Sequence, residues 1–133
     1  MSDVAVVGGT AESRLVIRGL LRMHRHRVVY EGPGAEENPG NSPHPSAQIL
    51  IADGALDPAW SQLIVGMRAN TPSLRVVMIT SQRITTDDPK ARELGISAIL
   101  PRPFTVAEFS TTIDRVAREG TPSPSSRLVS VPA

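Results

Sequence analysis

The sequence contains no cysteine. That excludes a disulfide framework, a thiolate metal site and a cysteine nucleophile, and it suits a reducing, cytoplasmic setting. Aromatic residues are scarce: Tyr30, Trp60, Phe104 and Phe109 are the whole set. A surface that stacks single-stranded bases needs more of them, so the core must be built from Val, Ile, Leu and Ala. No apolar run approaches the roughly 18 residues of a membrane-spanning helix. No signal peptide opens the chain. An excess of one charge is missing too: 14 Lys and Arg stand against 13 Asp and Glu, for a net charge of +1. No domain-wide pull toward nucleic acid or anionic membrane follows. What remains is 133 residues, 40% of them hydrophobic, which suits one ordinary domain with a core of its own.

The order of patterns is strand and helix by turns. Val4–Val7 is a short apolar run that ends at Gly8-Gly9. Such a run suits a strand buried on both faces. A helix is expected over Ser13–Met23, with Val16, Leu20 and Met23 on one face and Ile17, Leu21 and His24 beside them. Val28–Tyr30 is a second short strand. Residues 31–46 then hold four Pro and three Gly, which argues for a loop with at most one turn near Ala35–Asn38. Ala47–Ala52 is a third buried strand, closing at Asp53. Asp57-Pro58 carries the signature of a helix start, and the helix is expected to run to Ala69. Arg75–Thr80 is the fourth strand. Asp88-Pro89 opens a short helix that stops at Gly95. Ser97–Leu100 is the fifth strand, and Thr105-Val-Ala-Glu108 is a capping box opening a last helix to Arg118. Residues 1–119 are therefore expected to form one domain, and 120–133 a flexible tail or linker.

Alternating strands and helices imply a parallel sheet covered on both faces. Right-handed crossovers then favour a doubly wound, flavodoxin-like α/β fold with five strands, its second helix degraded or missing. Ligands of such sheets sit beyond the carboxyl ends of the strands. The residues there are Gly8, Gly9, Asp53, Thr80, Ser81 and Arg102.

Those positions resemble the receiver domain of two-component response regulators, over residues 3–119. The run ILPRPFTVAEF is the most specific local match. The resemblance makes Asp53 the phospho-acceptor position and Thr80 and Ile99 the switch positions. It places Gly8 and Gly9 where the family carries an acidic pair, and Arg102, followed by Pro103, where it carries a Lys. Arg14 stands where an Arg often follows in the first helix. In the family the acidic pair holds Mg²⁺, which needs carboxylates and octahedral oxygen ligands. Only the Asp53 carboxylate and backbone carbonyls remain from that set. Asp3 lies at the wrong end of its strand, and Glu12 is the one nearby acid that could reach in. Mg²⁺ binding is thus expected to be weak or absent, with no other cofactor. Arg102 keeps a positive charge, but a planar fork does not replace a Lys in a tight site. It is free to pair with Asp53 instead.

The resemblance implies an atypical receiver, not an enzyme, that works by contact with a protein partner or an output domain. The surface receivers commonly use corresponds to residues 88–118, and mixed charges there would allow a homodimer. Direct nucleic-acid or membrane binding by this domain is not expected. A phosphorylatable receiver using Asp53 with non-standard ligands is the first alternative. A second starts from VAVVGGTAESR, which also resembles the Gly-Gly-Thr turn of certain nicotinamide-dependent reductases, with Glu31 as the ribose-binding acid. Against it, G-x-G-x-x-G spacing is absent and no catalytic acid–base set appears. Two features fit bland roles better than sharp ones. The stripe Arg14, Arg18, Arg22 suits a solvated helix face before an acidic partner's dock. His24, His26 and His44 lack the neighbours of a metal site.

Overall fold

The computed structural model describes residues 2–32 and 47–119. The elements run β1 (Asp3–Gly8), α1 (Ala11–Met23), β2 (Arg27–Gly32), β3 (Ile49–Asp53), α2 (Pro58–Asn70), β4 (Arg75–Thr80), α3 (Pro89–Leu94), β5 (Ala98–Pro101) and α4 (Val106–Arg118). The sheet has five strands in the order β2-β1-β3-β4-β5, all pairs parallel. This is the doubly wound order expected from the alternation. The loop expected over 31–46 overlaps β2 at Glu31 and Gly32; the rest of it, with the question of a missing second helix, lies outside the described residues, as does the tail from 120.

The unbroken apolar runs are explained by the two faces they serve. In β1, Val4 and Val6 join one core layer while Ala5 and Val7 join the other. In β3 the split is Ile49 and Ile51 against Leu50 and Ala52, and in β4 it is Val77 and Ile79 against Val76 and Met78. The first layer is closed by α1 and α4 through Ile17, Leu21, Phe109 and Ile113. The second is closed by α2 and α3 through Trp60, Ile64, Met67 and Leu94. Successive strand residues point to opposite faces, so a strand between two helical layers has no polar side.

Every described helix starts on a side-chain cap. Thr10 accepts from the Ser13 N–H, Asp57 from Trp60, Asp88 from Lys90, and Thr105 from Glu108 in a complete capping box. Gly95 ends α3 with a left-handed φ of 66°. The cap at Thr10 corrects the expected start of α1 at Ser13, which lies two residues too late. The structure also shows which of the two adjoining apolar rows is buried. Ile17, Leu20 and Leu21 are buried, whereas Val16 and Met23 are 60% and 73% exposed. Helix α1 is apolar over too wide an arc for spacing alone to choose a face. In the row that faces the sheet, Ile17 and Leu21 enter the core and Arg14 Nη1 reaches back to the carbonyls of Gly8 and Gly9.

At the opposite end of the sheet Arg75 is buried at the start of β4. Its Nη1 donates to the Val116 and Ala117 carbonyls at 2.8 and 3.2 Å, adding side-chain donors to the last turn of α4. Arg68 ties α2 to the end of α3 in the same manner, through the carbonyls of Leu94 and Gly95. Burial lowers the pKa of that guanidinium from its ordinary value.

Strand β1 closes on two consecutive left-handed residues, Gly8 at φ 96° and Gly9 at φ 66°. A Cβ on Gly8 would stand 2.8 Å from the Trp60 ring, and one on Gly9 would overlap Asp53 Oδ2. The turn therefore needs glycine for its backbone and for the space beside Asp53.

Two stability outcomes follow from these contacts. Arg75→Met keeps bulk but removes both carbonyl partners, so urea unfolding should show a loss of about 2–3 kcal/mol. Gly9→Ala should cost about 1–3 kcal/mol by the same measurement, from strain at positive φ together with the Asp53 overlap.

Candidate functional site

The carboxyl ends of β1, β3 and β5 meet around one carboxylate. Asp53 is the last residue of β3, in register with Gly8 on β1 and Ile79 on β4. Its side chain is only 10% exposed. A carboxylate so placed needs a compensating charge, and Arg102 supplies it: Nη2 lies 2.5 Å from Asp53 Oδ2. The same Nη2 donates to Ser13 Oγ at 2.7 Å, and Ser13 Oγ donates to Asp53 Oδ2 at 3.2 Å. Three side chains from α1, β3 and the segment after β5 thus close a triangle. A shallow pocket of about 330 Å³ opens over it, lined by Gly9, Thr10, Ser13, Asp53 and Arg102.

Arg102 is held from behind. Its backbone N–H donates to the Thr80 carbonyl at 2.9 Å, and its guanidinium carbon lies 5.7 Å from the centre of the Phe104 ring. Phe104 stacks on Phe109 of α4, ring centres 5.9 Å apart. The Arg102–Pro103 peptide bond is cis.

The other sequence candidates are placed as follows. Thr80 is buried, and its hydroxyl accepts from the Gln82 N–H at 3.1 Å in a strand-end turn. Ile99 packs against the α2–α3 core layer. Arg14 is not part of a solvated stripe: with Arg18 it faces Glu31, at 4.0 and 3.2 Å. Glu31, the ribose-binding acid of the dinucleotide alternative, is therefore engaged by two guanidiniums. Glu12 is exposed on the first turn of α1. His24 and His26 both approach Asp114 of α4, at 4.0 and 3.6 Å, and His24 Nε2 meets Ser110 Oγ at 2.7 Å. Among the described residues no group of three or more His, Asp or Glu is arranged to hold a metal ion. His44 lies outside them.

The sequence reading missed Ser13. Its signal was the Thr10 cap, which starts α1 early enough to make Ser13 the third helical residue. Side chains there tilt back toward the helix start, which carries this hydroxyl to Asp53.

A divalent ion of the kind receivers hold, Mg²⁺, finds little here to bind it. Gly8 and Gly9 offer no side chain, and both of their carbonyls accept from Arg14 Nη1 at 3.0 Å. Asp53 Oδ2 already takes two donors. The residues present do not fit an octahedral oxygen set.

No protein-family model matches the sequence, and no curated protein aligns with it significantly. Solved structures do match. The HemR receiver domain of Leptospira biflexa superposes with a TM-score of 0.73 at 18% identity, covering 92% of this chain and 99% of that one. A pilus assembly protein, CpaE, of Burkholderia thailandensis gives 0.70 at 20%, over 88% and 98%. The isolated receiver domain of RcsB from Salmonella enterica gives 0.70 at 18%, over 92% and 93%. With the strand order and the parallel pairing, these likenesses establish the architecture: the chain has the flavodoxin-like α/β fold of response regulator receiver domains.

Proposed function

We propose that this domain is a signalling module of the receiver type that acts through protein–protein contact without conventional Mg²⁺-dependent phosphorylation of Asp53. The observation that carries the reading is the Arg102–Asp53 pair at 2.5 Å. An ion pair between a nearly buried carboxylate and a guanidinium supplies the charge balance that a metal supplies elsewhere. The absence of acids at Gly8 and Gly9 and the use of both glycine carbonyls by Arg14 support the same reading. In it Asp53 is an anchor for Arg102, while Thr80 and Ile99 are fixed core and turn residues.

Signalling by contact, not turnover, goes with the receiver domains among the structural neighbours. A cytoplasmic place goes with it too, and no described helix is long and apolar enough to cross a membrane. The partner, or an attached output domain, would meet residues 88–118. On that face Lys90, Arg92, Glu93, Arg115 and Arg118 are exposed, with Val106 at its edge. Asp114, expected among its free charges, is instead turned toward His24 and His26. The remaining mixed charges, Arg115 among them although it also meets Glu119 at 3.8 Å, would pair across a two-fold axis in a homodimer.

Two measurements bear on these statements. Trp60 lies beside Gly8, so its fluorescence reports on the strand ends. Titration with Mg²⁺ should give no saturable change below about 10 mM, and saturation at sub-millimolar Mg²⁺ would refute the closed pocket. Sedimentation over a range of concentrations should show self-association that Arg92→Glu with Arg115→Glu weakens. A strict monomer at the highest concentration would remove the homodimer.

A further inference from the structure

We infer that Ser13 is a phosphoryl-acceptor site, taking the group from a small acyl phosphate with Asp53 as its general base. The inference rests on the pocket reading above, in which Arg102 and not a metal neutralises Asp53. Ser13 Oγ donates its hydrogen to Asp53 Oδ2 at 3.2 Å and accepts from Arg102 Nη2 at 2.7 Å. A hydroxyl between a carboxylate and a guanidinium has a place for its proton and a cation beside the oxygen that remains. The pocket of about 330 Å³ over it is lined by five residues, of which Ser13 and Thr10 carry hydroxyls. The Thr10 hydroxyl is occupied as the cap of α1, accepting from the Ser13 N–H at 3.0 Å. Asp53 is nearly buried and its Oδ2 faces Ser13 Oγ, so the carboxylate is placed to receive the Ser13 proton rather than to meet phosphorus itself.

The step balances without a metal. Ser13 Oγ attacks phosphorus, the Oγ–P bond forms, and the bond from phosphorus to the acyl oxygen breaks. The carboxylate departs as the leaving group, and the Oγ proton passes to Asp53. Arg102 faces the charge on the phosphoryl oxygens, a pairing that its planar fork suits better than a Lys does. The product is favoured where it stands. Ser13 is the third residue of a 13-residue helix, and a phosphate in the first turn meets the positive end of the helix dipole. It would also compete with Asp53 for Arg102, so modification changes the pairing on which the pocket is built.

The test incubates the full chain with acetyl phosphate, with and without Mg²⁺, and reads intact mass. Cleavage after arginine separates Ser13, which precedes Arg14, from Asp53, which lies between Arg27 and Arg68. A phosphoserine survives hydroxylamine, whereas an acyl phosphate on Asp53 does not. The expected result is one hydroxylamine-resistant phosphoryl group on the Ser13 peptide, formed equally well without Mg²⁺. Ser13→Ala should abolish it; this variant also loses the hydroxyl that Asp53 and Arg102 share, so a cooperative thermal unfolding curve is taken to show that it still folds. Asp53→Asn should slow it at least about a hundredfold through loss of the base, while Ser13→Thr should retain it in part. No incorporation, or incorporation on Thr10, would overturn the inference and leave the contact-signalling reading in place. A hydroxylamine-labile, Mg²⁺-dependent phosphate on the Asp53 peptide would overturn both.

Discussion

A carboxylate at the end of a central strand cannot be left alone. Asp53 sits where β3 emerges between two core layers, with little solvent to stabilise its charge. Everything around it answers that constraint. Arg102 provides the charge, Ser13 shares the oxygen, and Gly9 leaves the room in which the side chain lies. Arg14 takes up the two glycine carbonyls that would otherwise face outward beside it. These residues come from several segments, so a single unfavourable charge organises contacts among α1, the end of β1, β3 and the segment after β5.

The far end of the sheet uses the same device with the signs exchanged. Helix α4 ends with its carbonyls turned inward, and the buried Arg75 supplies the donors. Beside it His24 and His26, at the end of α1 and the start of β2, approach Asp114 on α4. The helices α1 and α4 are therefore joined by polar contacts at one end and by the Phe109, Ile113 and Ile17 core between. The apolar layers set the spacing of helices and sheet, and the arginines at either rim set their rotation.

The parts of this arrangement that were legible in the sequence are those encoded locally. Strand β4 was bounded correctly at Arg75 and Thr80 because its apolar run has sharp polar edges. The caps Asp57, Asp88 and Thr105 and the stop at Gly95 each carry their own chemistry within four residues. The positions Gly8, Gly9, Asp53 and Arg102 were legible as strand-end residues once the alternation fixed the topology, and so was the pairing open to Arg102. The contacts that escaped are those that depend on rotation. Spacing could not choose between Ile17 and Val16 on α1, since both rows are apolar, and the hydrogen bonds of Arg14 beside them go to backbone carbonyls that no side-chain pattern announces. Ser13 was overlooked for the same reason, because its hydroxyl acquires meaning only when the third residue of α1 lies over the end of β3.

The glycine pair bears on whether such a pocket can be turned into one that binds a cation. An aspartate at position 9 alone meets a left-handed backbone and the Asp53 carboxylate in its way. An aspartate at position 8 alone meets the Trp60 ring. Even with both in place, Arg14 and Arg102 still occupy the carbonyls and the oxygen that an ion would need. No single step toward a metal site is favourable until the others have been taken. The backbone turn and the paired arginines therefore oppose such a change together, and relieving one leaves the others in place.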